Sequence, residues 1–423
     1  MKKMKNTKDG KTGSFLLIGT LVCFALIAVY GIVTQLKTSY ALPDTLKEIE
    51  NVKEVTPEKK SYSPSSTWSG FSLREKMIGN IVLEGKTTPS YKLDMFCLQA
   101  HVIMPSSTTT DEPPKKITYK RSSSQDLIDE GINSIVIKAY EKAYEDNNLT
   151  DTENDGVKTI SLSDDDYYTA QIALWVYQNL TGKYETQEGD PQDETTLAKA
   201  EAKNKLNNVW NNGNVGDDNQ SKKLKEYVNA ALEANENKNV KNNITLDGNV
   251  EFKLSADEKY YQTGDLKLNI VKAPNTELTG FNLKFNTDSN ISVYVVDSNN
   301  NVIDSKDYAS KIISGEKFKF RINKDDLHID ETVSISGKIS GQFKHIGFQA
   351  YEAWIEGDET ATKDLQIALV PITKTSSDKV DINASITVPD TGIGYSGYIY
   401  IIGALVLIIG LSIVYVNTKV QEN

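Results

Sequence analysis

Cysteine and histidine are almost absent from this chain of 423 residues, with two of the first and three of the second. His101, His328 and His345 are scattered, so no zinc-type ligand spacing exists and no metal site is expected. Of the two cysteines, Cys23 falls inside an N-terminal apolar run and Cys97 stands alone in the interior. If the N-terminal run is removed on export, no disulfide can form within one mature chain. Positive charge is also in deficit, with 47 Lys and Arg against 58 Asp and Glu, a net charge of -11. No basic stripe breaks that balance, which excludes nucleic acid as a partner. Long apolar runs are missing from the interior and occur only at the two ends.

At the N-terminus, Lys2, Lys3, Lys5, Lys8 and Lys11 precede SFLLIGTLVCFALIAVYGIV, followed by the polar stretch TQLKTSYA. This is the layout of a secretory signal peptide over residues 1–41, with cleavage after Ala41. The run is also long enough for a retained anchor, since about twenty apolar residues cross a bilayer. At the C-terminus, GYIYIIGALVLIIGLSIVYV from Gly397 to Val416 is an uncharged transmembrane candidate. Directly before it stand Val388, Pro389, Asp390, Thr391 and Gly392. This VPDTG pentapeptide resembles the LPXTG-type signal that sortases of Gram-positive bacteria cleave to join a chain to cell wall peptidoglycan. The tail NTKVQEN departs from that pattern, with Lys419 offset by Glu422 where a basic cluster is usual. A plain membrane anchor is the other reading. LPDTL, from Leu42 to Leu46, lacks both the Gly and a following span, and is read as coincidence.

Between the ends lie about 340 residues, enough for two ordinary domains. The stretch 42–62 is charged and contains proline, and reads as a linker. From Trp68 the pattern is strand-like, with Cys97 in or beside a strand. A helix is expected from a cap at Ser124, with Ile128, Ile132, Ile135, Val136, Ala139, Tyr140 and Ala143 on one face. A second follows an N-cap at Ser163, with three Asp in its first turn and Gly182 after its end. Two more are expected around Thr195 to Trp210 and Lys222 to Ala234. From Ile244 the chain turns to strands with polar breakers (DLKLNIV, GFNLKFN, ISVYVVDSNNNVID, KFKFRIN, TVSISGKIS, HIGFQAYEAWI, LQIALVPI), the pattern of an immunoglobulin-like β-sandwich.

Cys97, flanked by Met95, Phe96 and Leu98, reads on its own as a small buried apolar residue. An exported thiol is nonetheless open to oxidation and exchange, and calls for protection or a use. The triplet Phe96-Cys97-Leu98 and the stretch TAQIALWVY, Thr169 to Tyr177, supply one. Together they resemble the paired motifs of the thioester-domain (TQXA) family of Gram-positive surface adhesins, an aromatic-Cys-aliphatic triplet and TQxA followed by an aliphatic residue and Trp. The likeness covers about residues 62 to 240. It implies an internal thioester between Cys97 and Gln171, with Ala173, Leu174 and Trp175 at the remaining motif positions. Ala170 stands where the motif has Thr, and Thr169 lies one place earlier. Phe96, Leu98, Tyr168, Ala173, Leu174 and Trp175 form the expected surround. Holding a thiol against a carboxamide supplies an effective concentration of about 10⁵–10⁸ M, which is what an otherwise uphill exchange of amide for thioester requires.

Rival readings are weaker. Gln99 lies two residues from Cys97, too near for the ring that complement-type proteins close with a CGEQ loop. His101 would sit about 13 Å from Cys97 along a strand, out of range for proton transfer. DTENDGVKTISL resembles the start of an EF-hand, but its twelfth position is Leu162 where a bidentate Glu is needed. Lys267, Asn383 and Glu352 would suit an isopeptide bond in a second domain, against the plainer reading of a solvent-facing Lys and a linker Asn.

The expected organisation is therefore a signal peptide or anchor over 1–41, a linker over 42–62, and an α+β thioester domain over 63–240 with a β-rich core and a helical subdomain. An all-β immunoglobulin-like stalk over 244–374, a linker over 375–387, and a sorting signal with transmembrane helix over 388–423 follow. The resemblance implies a cell-surface adhesin that captures an amine on a host or surface target, in a single turnover and without a cofactor. A non-covalent binding or spacer protein with an inert cysteine is the alternative.

Overall fold

The stretch expected to be a linker is part of a core. The computed structural model describes residues 42–388, except 69–70, 72–74, 103–112, 124, 188–197, 213–217, 288–290, 329–331, 359 and 361–364. The signal segment 1–41, the apolar span 397–416 and Pro389–Gly392 lie outside the described residues. Among the described residues no helix is long and apolar enough to cross a membrane. In 42–62, a short helix α1 (Asp44–Lys47) and a ten-residue strand β1 (Val52–Ser61) bury Leu42, Leu46, Ile49, Val55 and Tyr62. Leu42 and Leu46, the ends of the LPDTL look-alike, are core residues, and burying such side chains contributes about 1.5–3 kcal/mol each.

The chain divides into two units. The first runs to Ile244 and recruits Ile270–Phe281 and Ser340–Lys379, while the second holds Thr245–Asn269, Asn282–Ile339 and the chain from Val380. The chain first passes from one unit to the other after Ile244, and two later stretches return it to the first unit. HIGFQAYEAWI and LQIALVPI, expected in a stalk, supply strands to the first unit.

In the first unit β1 pairs antiparallel with β2 (Glu75–Leu83), and β2 with β3 (Tyr91–Cys97). On the other side β1 meets β4 (Ile117–Arg121) through Val55 and Tyr119. The helix expected from Ser124 starts later. Asp129 is the N-cap, its side chain accepting from the Ile132 N–H, and helix α2 runs Glu130–Glu145. Ile128 precedes it, behind a 3-10 turn at Gln125–Leu127. The apolar face from Ile132 to Ala143 is buried as the periodicity implies.

The EF-hand look-alike folds as a hairpin of β5 (Thr150–Asn154) and β6 (Val157–Ser161). Asp155 and Gly156 both take positive φ, 50° and 77°, the tight two-residue turn that an Asp-Gly pair favours. Helix α3 (Asp164–Leu180) begins where expected, with Ser163 Oγ accepting from the Asp166 N–H at 3.2 Å. Helices α4 (Lys199–Asn212) and α5 (Asp218–Glu236) complete the helical layer. Gly131 on α2 permits a close crossing, since a Cβ there would meet the Ala231 carbonyl of α5 at 2.7 Å and the Tyr177 ring of α3.

The strands that follow are β7 (Asn243–Asp247), β8 (Lys253–Leu254), β9 (Tyr260–Gln262), β10 (Lys267–Val271), β11 (Thr276–Thr287), β12 (Tyr294–Asp297), β13 (Phe318–Asn323), β14 (Thr332–Ile355) and β15 (Ala368–Thr387). β14 pairs with β4, and β15 with both β14 and β3, so the pairing order β14-β4-β1-β2-β3-β15 returns to β14. β15 carries on through the segment 375–387 that was expected to be a linker.

Beneath this sheet Lys76 and Asp94 form a buried ion pair at 3.2 Å, with side chains 2% and 0% exposed. The Lys76 ammonium also donates to Ser161 Oγ (2.8 Å) and the Leu162 carbonyl (3.0 Å), and Asp94 accepts from the Leu162 N–H at 2.6 Å. The pair therefore fastens β2 and β3 to the start of α3.

The second unit is β-rich, with a four-stranded antiparallel sheet in the order β12-β13-β9-β8 and a short helix α6 (Tyr308–Ile312). Phe318, Phe320 and Ile322 alternate inward along β13, and Phe285 meets Phe320 edge-on at 4.9 Å. Lys267 and Asn383 are both exposed, and Glu352 belongs to the first unit, where Ser122 donates to its carboxylate. This is not the dry, three-membered arrangement that an isopeptide bond needs.

Candidate functional site

Cys97 is the last residue of β3. The ladder between β2 and β3 ends at Met77 and Met95, and Leu98 turns its N–H to the Ile367 carbonyl of the β15 side at 2.9 Å. The N–H and C=O of Cys97 are therefore left to another partner, and a buried backbone group must find one. Gln171, midway along α3, supplies both halves. The Cys97 N–H donates to Gln171 Oε1 at 2.8 Å, and Gln171 Nε2 donates to the Cys97 carbonyl at 2.7 Å. Both residues are 1% exposed. The same carbonyl accepts a second bond, from Trp175 Nε1 at 2.7 Å.

The two motif residues, 74 apart in sequence, are thus clasped by a pair of antiparallel hydrogen bonds. Trp175 stands one helical turn beyond Gln171, so both side chains project from the same face of α3. The clasp turns the Gln171 carboxamide toward the residue that carries the sulfur. It also aims the Cys97 N–H at the oxygen on which charge would develop if Sγ attacked Cδ.

The surround is aromatic and dry. Tyr167 stacks on Phe96 at 5.1 Å, donates its hydroxyl to the Met95 carbonyl (2.9 Å) and meets Tyr62 edge-on at 5.6 Å. Tyr168 accepts from the Trp68 N–H (2.8 Å), donates to the Phe71 carbonyl (2.6 Å) and stacks on the Trp68 ring at 5.4 Å. Phe71 lies 5.9 Å from Trp175. Leu98, Ala173 and Leu174 are fully buried. Burial pushes the Cys97 thiol well above its ordinary range, an effect that the more distant Lys59 charge only partly offsets. A free thiolate is disfavoured here, which leaves the thiol inert toward oxidants and requires any acyl exchange to move its proton locally.

Thr169, the displaced motif threonine, is buried, and its hydroxyl has no hydrogen-bond partner among the described residues. Gln99 is committed elsewhere, its Oε1 accepting from the Ile367 N–H at 2.8 Å and its carbonyl from Gln366 Nε2 at 2.6 Å. β3 ends at Cys97, so the strand spacing invoked against His101 does not apply. Its Nδ1 instead lies 2.9 Å from the Tyr184 hydroxyl. Val388 is buried and the rest of the pentapeptide lies outside the described residues.

Sequence reasoning missed two things. It placed Trp175 at a motif position and in the surround, but not the hydrogen bond that its indole N–H gives the Cys97 carbonyl. It also placed Tyr62 in a linker. The aromatics Tyr62, Trp68 and Phe71 within ten residues were the signal that this segment covers a core.

Three solved chains align with this one, and two of them are described as follows. One is described as the Bacillus anthracis TIE protein, at 13% identity and a TM-score of 0.39, over 79% of this chain. The alignment reaches 49% of that protein, so this chain spans about half its length. The other is described as the thioester domain of the Enterococcus faecium TIE86 protein, at 11% identity and a TM-score of 0.29, over 80% of this chain and 98% of that one. Overlaps this loose establish neither family nor function for this chain. No protein-family model matches it, and no curated protein matches it.

Proposed function

We propose that Cys97 and Gln171 condense into an internal thioester, and that the protein uses it to capture an amine covalently on a host or surface target. The clasp of the Gln171 carboxamide on the Cys97 main chain is the observation that carries this reading. In closure the Cys97 Sγ–C bond forms at Gln171 Cδ, the Cδ–Nε2 bond breaks, and ammonia leaves with the thiol hydrogen. The Cys97 N–H steadies the oxyanion as it develops. Folding provides the drive, since the clasp and the buried surround exist only in the folded chain. The dry cage slows hydrolysis until a nucleophile arrives. Capture reverses the exchange: an amine attacks Cδ, the Cδ–S bond breaks, and an amide and a free thiol remain. Nothing resets the site, so this is a single-use adhesive and not a turnover enzyme.

The expected setting is the surface of a Gram-positive-type bacterium. Residues 1–41 serve for export and the β-rich second unit as an immunoglobulin-like stalk. The VPDTG segment with the 397–416 span serves for attachment to membrane or cell wall through a sortase.

The test is intact-mass analysis of the purified protein. It should be one ammonia lighter than its sequence, and methylamine should add in full, leaving the protein one methylene heavier than its sequence, and release a thiol. Cys97→Ala and Gln171→Ala should abolish the deficit, and Gln99→Ala should keep it. A full calculated mass with a freely titrating thiol rejects the reading in favour of a non-covalent surface protein with an inert cysteine.

A further inference from the structure

In the small sheet of the second unit, the alternation along β13 that turns Phe320 and Ile322 inward turns Arg321 to the other face. There it stands opposite Gln262 of β9, and Tyr260 shares that face two residues away. The Arg321 guanidinium lies over the Tyr260 ring, 4.3 Å from its centroid, and donates through Nη1 to the Asn300 carbonyl at 3.2 Å. A guanidinium carries five N–H donors. This one bond is all that it makes among the described residues, and Nε is buried without an acceptor. Stacking and one hydrogen bond therefore fix the group in place and leave most of its donors unspent.

Arg321 lines a cavity of about 410 Å³, within the range of about 300–1,000 Å³ for small-molecule sites. Two turns wall it. In the first, the Ser255 N–H donates to the Tyr260 carbonyl (2.8 Å), the Tyr260 N–H to Ser255 Oγ (3.1 Å), and the Ser255 hydroxyl to Asp257 (2.6 Å). That last bond holds the Asp257 carboxyl below its ordinary range, so it is an anionic acceptor at neutral pH. In the second, Asp297 Oδ1 accepts from the N–H groups of Asn299 (2.9 Å) and Asn301 (2.8 Å), with Asn300 between them at a φ of 65°. The walls are built before any ligand arrives, which lowers the cost of binding one.

Charge narrows the choice of ligand. Arg321 and Asp257 line the same cavity, yet neither forms an ion pair among the described residues. A ligand of either sign is attracted by one and repelled by the other. An ammonium group at Asp257 also gains little, because that carboxylate is exposed and water screens it. Hydroxyl groups suit both, since each can accept from Arg321 and donate to Asp257. The side-chain amides of Gln262 and Asn300, which make no hydrogen bond among the described residues, add a donor and an acceptor each.

We propose that this cavity binds a neutral carbohydrate, with Arg321 donating to its hydroxyl groups and Asp257 accepting from them. The second unit would then hold glycans reversibly, independently of the thioester.

The test is saturation-transfer NMR on the full-length chain in a detergent without a sugar headgroup. The probes are the methyl glycosides of glucose, galactose, mannose and N-acetylglucosamine, with glucuronate and glycine as charged comparators. Wild type should bind at least one neutral glycoside, and bind it more tightly than either comparator. Arg321→Met should weaken that binding by roughly 10–150-fold, the loss expected for hydrogen bonds from a charged group. Asp257→Asn keeps the size of an exposed side chain, should melt as wild type does, and should weaken binding by about 5-fold, the gap between a charged and a neutral hydrogen bond. No transfer to any neutral glycoside overturns the proposal, and so does tighter binding of glucuronate or glycine. Wild-type affinity in a folded R321M chain overturns it too. Should R321M not fold, wild-type affinity in D257N does the same. None of these outcomes bears on the mass deficit, which tests the thioester separately.

Discussion

Replacing Trp175 by Phe tests the proposed thioester against the carboxamide form of the site. In the carboxamide form the Cys97 carbonyl accepts from Gln171 Nε2 and Trp175 Nε1, both at 2.7 Å. Once ammonia has left, only the indole remains. Trp175→Phe therefore removes one of two bonds in the open form, at a cost of about 0.5–1.5 kcal/mol, but strands a buried acceptor in the closed form, at about 1–3 kcal/mol. The void left by the smaller ring weighs on both forms and cancels between them. The difference of about 0.5–1.5 kcal/mol corresponds to roughly 2–12-fold in the balance between thioester and carboxamide. Graded ammonium chloride drives the thioester back to glutamine, and the midpoint is read by intact mass. The W175F midpoint should fall to roughly 2–12-fold less ammonia. A folded W175F chain with the wild-type midpoint would refute the claim that the indole steadies the closed form.

Three further outcomes follow from the packing. Lys76→Met leaves Asp94 buried without its cation and should cost about 3–5 kcal/mol, seen as a lower midpoint in urea unfolding; Lys76→Met with Asp94→Leu should recover much of it. Burial works to raise the Glu130 carboxyl, but hydrogen bonds from His345 (3.1 Å), Asn275 (2.6 Å) and Asn133 (3.4 Å) outweigh it and hold it below its ordinary range. A lowered carboxyl adds stability that is complete above the unfolded value of about 4.3 and is lost as pH falls through the folded one. The melting difference between wild type and Glu130→Gln should therefore be largest near neutral pH and vanish in acid. Gly131→Ala places a methyl against the Ala231 carbonyl and the Tyr177 ring, and should cost about 1–3 kcal/mol by calorimetry.

Local chemistry was legible in the residues. The cap at Ser163, the Asp-rich first turn of α3, the buried face of α2 and the turn residues between strands all depend on neighbours a few positions away. Export and anchoring patterns were equally local, and they concern segments beyond the described residues. The pairing of Cys97 with Gln171 came from two motifs and not from spacing, because nothing in a linear string says which strand end faces which helix. Where local signals were weak, the reading slipped. Residues 42–62 looked polar because a strand in a sheet alternates its faces, and Val55 with Tyr62 was too sparse a pattern to announce a core. HIGFQAYEAWI of β14 and LQIALVPI at the start of β15 were assigned to a stalk by their place in the chain, whereas both belong to the first unit, where β14 pairs with β4 and β15 with β3.

The sequence by itself determined the residue types at the site and the elements that carry them: a thiol on a strand, a carboxamide on a helix, and an indole one turn further on. Only the tertiary structure decided that the ladder between β2 and β3 ends before Cys97, so that its main chain is completed by a side chain from α3. Hydrogen bonds between groups 74 and 78 residues apart have no local trace, since their partners are chosen by how the sheet closes and where the helix lies on it. The same holds for Tyr62, whose buried hydroxyl has no hydrogen-bond partner among the described residues.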